Sequence, residues 1–224
     1  MPPKIGPPKI GPLEVAPPRT AAEFQATWGA SDAQMTDLEA YRVLLADWNE
    51  NMNLVGPSAL AEFCPRHAFD SAQLLRLAPE AKTWADLGAG AGFPGLVLAI
   101  LLKGIPDAKI HLVESMAKRC RFLSEVAHKL ALPVQIHNAR AEDLGIRVDI
   151  VTARACAPLP RLLGYAEPYL RRGATGLFLK GQDVVAELTE AAKCWKFEAE
   201  LTASSSHPDG RILQVKGLSR VRSV

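Results

Sequence analysis

Apolar positions spaced three and four residues apart predict a helical N-terminal segment. In DLEAYRVLLADWNENMNLV this spacing connects Leu38, Tyr41, Leu44, Leu45, Trp48, Met52 and Val55. Ser31 or Asp32 is a suitable N-cap for this helix, and Gly56-Pro57 is a strong stop signal. A second helix is expected over 58–77, before Pro79. We therefore predict an N-terminal helical cap over residues 19–79.

After Pro79 the pattern changes to alternating strands and helices. Strand-like runs occupy 83–87, 109–114, 133–137, 148–154, 176–180, 195–202 and 211–216, and helical patterns fit 95–103, 115–131, 158–170 and 182–194. This alternation predicts an α/β domain over 80–218, with a mostly parallel seven-stranded sheet covered by helices on both faces. The last two strands are joined by a short polar loop, so they are expected to pair as an antiparallel hairpin.

The two ends of the chain differ from this body in composition. Residues 1–18 contain the repeat PPKIG twice and seven prolines, which predicts a disordered, extended tail without the apolar core of a secretory signal. Residues 219–224 are predicted to form a basic C-terminal tail. Arg211, Lys216, Arg220 and Arg222 give the C-terminal end a positive charge that suits a phosphate-rich partner.

Cysteine spacing and hydropathy exclude several classes of protein. The four cysteines are far apart and form no C-x-x-C pair, which argues against a zinc knuckle or a redox motif. No apolar run reaches the ~20 residues that a membrane-spanning helix needs. We expect a cytoplasmic protein with reduced thiols, no metal and no membrane attachment.

The stretch DLGAGAGFPG follows the first predicted strand and fits two nucleotide-binding patterns. It contains G-x-G-x-x-G, the dinucleotide fingerprint, and also D-x-G-x-G-x-G, which methyltransferases use for S-adenosylmethionine. Gly88, Gly90 and Gly92 allow the backbone to approach a ligand closely in either case.

Two residues of this stretch favour S-adenosylmethionine. Pro94 provides no N–H for a pyrophosphate, and Asp86 places a carboxylate where phosphates would be repelled but a sulfonium and an ammonium attracted. A terminal antiparallel hairpin is also typical of the methyltransferase version of the Rossmann fold. Glu114, at the end of the second strand, is a candidate acceptor for ribose hydroxyls in both ligand classes.

A series of motifs in a fixed order carries a family resemblance. WNENMNLVG and RHAFDS precede GAGAGFPG, which is followed by HLVESMAKRCRFLSEV, ARAEDL, VTARACAPL and LFLKGQ. Over roughly residues 38–217 the chain closely resembles the bacterial 16S rRNA (guanine-N7)-methyltransferase family, also called glucose-inhibited division protein B. The resemblance implies a class I S-adenosylmethionine-dependent methyltransferase fold.

The resemblance also implies a reaction and a set of cofactor contacts. It predicts methylation of N7 of guanine 527 in 16S rRNA, either as free rRNA or in the 30S subunit, and altered streptomycin sensitivity when the enzyme is lost. The matching cofactor positions are Gly88, Phe93, Ala141, Glu142 and Arg154. Guanine N7 carries a free lone pair, so no catalytic acid–base pair is nominated.

Basic residues near the motifs are the candidates for RNA contact. They are Arg66, His67, Lys118, Arg119, Arg121, Lys180 and Arg211, whose side chains could meet phosphates. Lys118 and Arg119 fit a solvated helix face equally well.

Three other functions fit parts of the pattern. A methyltransferase of the same fold could act on a protein or a small molecule, and a non-catalytic RNA-binding protein could sense S-adenosylmethionine. A nicotinamide-dependent oxidoreductase is opposed by Pro94, Asp86 and the terminal hairpin. We expect a monomer.

Overall fold

The computed structural model describes residues 16–221 and contains one seven-stranded sheet with helices on both faces. Most of the predicted proline-rich tail, and the last residues of the predicted basic tail, lie outside the described residues, while Ser219 and Arg220 of the predicted basic tail belong to the last strand of the sheet.

Strands and helices alternate after residue 82, as the sequence predicts. The strands are β1 (Thr83–Leu87), β2 (Lys109–Glu114), β3 (Val134–Asn138), β4 (Ile150–Arg154), β5 (Thr175–Lys180), β6 (Trp195–Ala203) and β7 (Arg211–Arg220). The helices of this part are α4 (Gly95–Leu101), α5 (Ala117–Lys129), α6 (Leu159–Leu170) and α7 (Val184–Ala192), with a 3₁₀ turn at Ala141–Asp143. They are preceded by α1 (Ala21–Trp28), α2 (Asp32–Met52), a π-helix (Phe63–Ala68) and α3 (Phe69–Leu77).

The sheet has the strand order β3-β2-β1-β4-β5-β7-β6. The first five strands in this order are parallel, whereas β7 is antiparallel to both β5 and β6. The predicted fold class and the terminal hairpin are therefore confirmed. The order reverses between β1 and β4, and in open α/β sheets ligands bind outside the carboxyl ends of the strands at such a point.

Two apolar clusters cover the two faces of the sheet. One combines α4 and α5 with the N-terminal helices, which contribute Phe24, Leu38 and Tyr41. The other packs α6 and α7 against the opposite face, with Tyr169 and Leu188 fully buried. All seven residues of α4 are buried, because this short apolar helix lies between the sheet and the N-terminal helices.

The start of α2 follows the predicted capping signal. The Ser31 side chain accepts a hydrogen bond from the backbone of Gln34, and the Gln34 side chain accepts one from the backbone of Ser31. This capping box satisfies two backbone donors at the start of the helix. Ser31, rather than Asp32, is the N-cap.

The second predicted helix, over 58–77, differs from the observed structure. Residues 58–62 form turns, the π-helix follows, and the α-helical part begins only at Phe69. Pro65 explains the difference, because proline lacks the N–H of an interior helical position and its ring clashes with the preceding turn. The His67 backbone instead donates to the carbonyl of Glu62, five residues earlier, at 3.1 Å.

Among residues 16–221, no helix combines the length and the apolar character needed to cross a membrane.

Candidate functional site

A cavity of about 720 Å³ lies at the carboxyl ends of the parallel strands. Four predicted cofactor residues line it, namely Gly88, Glu114, Ala141 and Glu142. The other lining residues are Val113, Ser115, Arg119, Ala139, Arg140, Ala155, Cys156 and Tyr165. We call this space the first cavity.

Gly88 of the glycine loop lines the first cavity, whereas Gly90 and Gly92 do not line it, and all three adopt a backbone conformation that favours glycine. Gly88, Gly90 and Gly92 have φ angles of 67°, 54° and 96°, in the left-handed region. A Cβ atom on Gly88 would lie 2.7 Å from the Sγ atom of Cys156. The backbone of Gly88 donates to the carbonyl of Val113 at 2.8 Å, which ties the loop to the end of β2. The absent side chain at Gly88 therefore leaves the space that a ligand would use.

Glu114 is a buried acid at the end of β2, with only 4% of its surface exposed. Its two carboxylate oxygens accept hydrogen bonds from the backbone of Gly90 at 3.0 Å and of Met116 at 2.8 Å. Arg119 lies 3.8 Å from the same carboxylate. Because a carboxylate has about four acceptor sites, Glu114 retains capacity for ribose hydroxyls in the first cavity.

Asp86 lies behind the glycine loop and does not line the first cavity. Its Oδ2 accepts from the backbone of Gly95 at 2.9 Å, and its buried Oδ1 has no partner among the described residues. Burial raises the pKa of Asp86 to about 7, opposed by the Gly95 hydrogen bond and by Arg154. The carboxyl group thus joins the end of β1 to the start of α4.

Phe93 and Arg154 form an aromatic and cationic cluster beside the loop. The Arg154 guanidinium lies 5.4 Å from the centre of the Phe93 ring. The ring centres of Tyr41 and Phe63 each lie 5.5 Å from the centre of the Phe93 ring. Neither Phe93 nor Arg154 lines the first cavity, but Arg154 lines its neighbour, described below. The Nη1 atom of Arg154 is buried without a partner among the described residues.

His67 contacts the Arg154 side chain and does not line either cavity. Its Nδ1 lies within hydrogen-bonding distance of Arg154 Nη2, and its ring packs 5.1 Å from that of Phe93. Burial, reinforced by the charges of Arg154 and Arg66, lowers the pKa of His67 to about 3. The imidazole is therefore neutral near pH 7, and its Nδ1 accepts a hydrogen bond from the Arg154 guanidinium.

A second cavity of about 800 Å³ adjoins the first, and the two share Ala155 and Cys156 as lining residues. Its wall combines Arg66 and Asp70 of the N-terminal segment with residues after β4 and β5 and with the β6–β7 loop. Three of the predicted RNA residues, Arg66, Lys180 and Arg211, line it.

Ala155 lies at the boundary between the two cavities in an unusual conformation. Its φ angle is 50°, which is uncommon for a residue with a side chain and costs on the order of 1 kcal/mol. Such conformations persist where the surrounding structure holds them, and they are frequent at ligand sites.

The cations of the second cavity differ in how firmly they are held. Lys180 is nearly buried and forms an ion pair with Glu187 at 2.5 Å. The Arg211 guanidinium donates to the carbonyls of Pro208 and Gly210. Arg66 pairs with Glu62 at 3.0 Å on the surface, where an ion pair contributes little and exchanges easily with other anions.

The remaining predicted RNA residues lie elsewhere. Arg119 lines the first cavity, and Lys118 lies outside both cavities with its ammonium 3.3 Å from the carbonyl of Asn51. Arg121 lies on exposed α5 surface and lines neither cavity.

Several cavity residues were not among those predicted from the sequence. Tyr165 and Arg140 line the first cavity, and Cys156 lines both. Burial raises the pKa of the Cys156 thiol to about 11, so this thiol stays protonated. Cys156 is the second residue after β4, and this position at the carboxyl end of a strand could have indicated it. Tyr165 reaches the cavity from the middle of α6 only because that helix packs there. Within residues 16–221, no group of three or more side chains is arranged to bind a metal ion.

Comparison with known proteins identifies a family over most of the chain. The family model for GidB, described as rRNA small subunit methyltransferase G, matches residues 34–214. The chain belongs to this family. Membership confirms the predicted family and makes the chain a methyltransferase.

Curated relatives cover nearly the whole chain. A ribosomal RNA small subunit methyltransferase G of Caulobacter vibrioides is 70% identical over 202 residues, covering 90% of this chain and 94% of the relative. One from Methylorubrum populi is 50% identical over 187 residues, covering 82% of this chain and 89% of the relative.

Solved structures show the same fold at low identity. An O-methyltransferase from Bacillus cereus in complex with SAH has a TM-score of 0.56 at 14% identity, covering 88% of this chain and 96% of its own. An Aquifex aeolicus SAM-dependent methyltransferase has a TM-score of 0.54 at 15% identity, covering 79% of this chain and 98% of its own. These likenesses place the chain in the class I methyltransferase fold.

Proposed function

We propose that this protein transfers a methyl group from S-adenosylmethionine to N7 of guanine 527 in 16S rRNA. The observation that carries the proposal is the meeting of two cavities at Ala155 and Cys156. One has a glycine loop and a buried acid, and the other has Arg66, Lys180 and Arg211 on its wall. The 70% identical relative is a ribosomal RNA small subunit methyltransferase, which gives the substrate class.

The residues of the first cavity suit the proposed cofactor. Gly88 leaves room beside Cys156, Glu114 has free acceptor sites for ribose hydroxyls, and Ala141 and Glu142 present backbone and carboxylate groups for an adenine. When bound, S-adenosylmethionine supplies an electrophilic methyl group on a sulfonium. We propose that Phe93 and Arg154 support this site from the side, because both pack beside the loop without lining the cavity.

The protein contributes alignment rather than proton transfer. Guanine N7 has a lone pair and no proton to lose, so the reaction needs no general base. The nearby titratable groups agree with this, because the Cys156 thiol is protonated and the lowered pKa of His67, about 3, makes its imidazole a weak base. Holding the two reactants in adjoining cavities supplies the orientation on which the rate depends.

RNA binding is proposed to use the cations around the second cavity. Arg66, Lys180 and Arg211 lie where phosphates beside an unpaired guanine would approach, and we propose Lys118 and Arg119 on α5 as further phosphate contacts. The guanine must leave any base stack to reach the boundary between the cavities. We further propose that the protein acts as a monomer in the cytoplasm and that loss of its activity alters streptomycin sensitivity.

A methyl-transfer assay with radiolabelled S-adenosylmethionine tests the proposal. Free 16S rRNA and 30S subunits from a strain lacking the enzyme serve as parallel substrates, and primer extension after cleavage at methylated guanine maps the product. We expect label at a single N7 in at least one of the two substrates. Their comparison decides whether free rRNA or the assembled subunit is the substrate.

Two results would contradict the proposal. Tight binding of S-adenosylmethionine with no label on either RNA substrate would favour a sensor or a methyltransferase with another substrate. Label at a different base would retain the enzyme class and reject the target.

A further inference from the structure

The Asp70 side chain is an oriented hydrogen-bond acceptor on the wall of the second cavity. Its Oδ1 accepts hydrogen bonds from the hydroxyls of Ser204, at 2.9 Å, and of Ser206. Gln73, which is 1% exposed, holds this arrangement by donating to the Ser204 hydroxyl at 3.1 Å. Asp70 lies on α3 and the serines follow β6, so the carboxylate is fixed between two parts of the fold.

The second oxygen of Asp70 is available to a ligand. Oδ2 has no hydrogen-bond partner among the described residues, and it is not sealed from solvent. The other acids of this cavity are different, because Glu187 is paired with Lys180 and Asp209 lies on the exposed β6–β7 loop. Among the acids that line this cavity, Asp70 therefore combines a fixed position with a carboxylate oxygen, Oδ2, that is free to accept a hydrogen bond.

The chemistry of N7 methylation limits how a guanine can be recognised. The commonest protein contact to guanine is an arginine that donates to both O6 and N7, and it would occupy the lone pair that must attack the methyl group. Recognition must therefore use groups that leave N7 free. The opposite edge of guanine offers two donors, N1–H and the N2 amino group, whereas adenine has an acceptor at N1.

We infer that Asp70 reads the target guanine in the second cavity, with Oδ2 accepting hydrogen bonds from N1–H and the N2 amino group. The inference rests on the proposed function and adds to it a residue that distinguishes guanine from other bases. A carboxylate would repel the N1 lone pair of adenine and match both donors of guanine. Asp70 is a specificity residue that contacts the base and takes no part in proton transfer.

Replacing the target guanosine by inosine removes only the N2 amino group and tests the contact directly. The substrate is 16S rRNA, free or in reconstituted 30S subunits, with inosine introduced at the target position by ligation of a synthetic fragment. We expect the wild-type protein to prefer guanosine by about tenfold or more in kcat/KM, as for a lost hydrogen bond to a charged group. In Asp70→Asn and Asp70→Ala this preference should fall to about one.

Asp209→Asn is the matched control, because it removes a charge from the same cavity without touching the fixed acceptor. It should keep the wild-type preference for guanosine. Thermal unfolding of each variant separates loss of specificity from loss of structure.

Three outcomes would overturn the inference while leaving the proposed function intact. These are a wild-type preference near one, an unchanged preference in folded Asp70 variants, and a preference lost in Asp209→Asn instead. A wild-type protein that labels neither guanosine nor inosine RNA contradicts the proposed function itself, so the two failures are distinguishable.

Discussion

Single residues in this region divide into those that line a cavity and those that fix the backbone around it. Gly88 belongs to the first group, because the absence of a side chain leaves open the space between its backbone and the Cys156 Sγ. Asp86 belongs to the second group, since its carboxylate binds the backbone of Gly95 from a fully buried position. The two residues are close together in the motif, yet we expect substitutions of Gly88 to affect ligand affinity and substitutions of Asp86 to affect stability.

Gly88→Ala should weaken cofactor binding. The new Cβ would meet the Cys156 Sγ at 2.7 Å and would be strained at a φ of 67°, so the loop or Cys156 must move. We expect the affinity for S-adenosylmethionine to fall by about tenfold, which corresponds to ~1.4 kcal/mol, measured by isothermal titration calorimetry.

Gly104→Ala is the control for Gly88→Ala. Gly104 has a φ of 86° and nothing within 4 Å of its added Cβ, so it shares the backbone strain without the clash. Equal affinities in the two variants would show that the space beside Gly88 does not serve the ligand.

Asp86 should make stability depend on pH in the direction opposite to an ordinary ion-paired acid. Its pKa is raised from the usual 3.8 to about 7 by burial, so the folded state holds a proton that the unfolded state releases. This contribution to stability is fully present below about pH 4 and is lost as pH rises through about 7.

Urea unfolding of wild type and Asp86→Asn at two pH values measures this effect. Between about pH 5 and pH 8 the wild type should lose on the order of 2 kcal/mol more stability than the variant, whose amide does not titrate. Parallel pH profiles for the two proteins would contradict the raised pKa.

At the scale of elements, the N-terminal helices hold two loops of the sheet whose residues line the cavities. The Tyr41 hydroxyl on α2 donates to the carbonyl of Ala91 in the glycine loop at 2.5 Å. On α3, Gln73 binds the β6–β7 loop by accepting from the backbone of Ser205 at 2.8 Å and donating to Ser204. The helical segment is therefore a structural part of the site rather than a separate appendage.

Gln73→Ala should loosen the β6–β7 loop. The substitution removes three side-chain hydrogen bonds, two to the β6–β7 loop and one to the carbonyl of Phe69, at a cost of about 2 kcal/mol. Amide hydrogen exchange over residues 204–210 should become faster than in wild type.

Gln34→Ala provides the comparison for Gln73→Ala, because it breaks the capping box of α2 and costs a similar order of stability. Exchange in the β6–β7 loop should remain at the wild-type rate in this variant. Faster loop exchange in both variants would point to a general loss of stability instead of a local contact.

At the scale of the whole molecule, a net charge of +2 conceals an uneven distribution. Arg66, Lys180 and Arg211 come from three distant parts of the chain and meet at one cavity, although Lys180 is largely neutralised by Glu187. RNA affinity should therefore depend on a few exposed cations more than on net charge, and its salt dependence should report how many of them meet phosphates.

Arg66→Ala should lower RNA affinity and reduce the slope of log affinity against log salt concentration by about one. Arg42→Ala is the matched control, since Arg42 also forms a surface ion pair with a nearby glutamate but does not line the second cavity. Filter binding across a salt series measures both slopes. If the slope falls as much in Arg42→Ala as in Arg66→Ala, the effect comes from the overall charge of the protein and not from the second cavity.

The sequence by itself determined the elements, their order and the class of ligand. The apolar spacing, the Ser31 cap and the glycine motif are local signals, because backbone geometry fixes them over a few residues. The strands β1 and β2 match their predicted limits, and the hairpin of β6 and β7 follows from the short connection between them. The marked difference at Pro65 also has a local cause, and β7 continues to Arg220, beyond its predicted end at 216.

Only the tertiary structure decided which side chain faces which space. Arg119 lines the first cavity, His67 is buried against Arg154, and Asp86 lies behind its loop, although all three belong to recognisable motifs. The fixed orientation of Asp70 requires serines more than 130 residues away in the chain. Side-chain direction and burial depend on the packing of distant elements. Periodicity in the sequence indicates which face of an element is buried, but not which distant element packs against it.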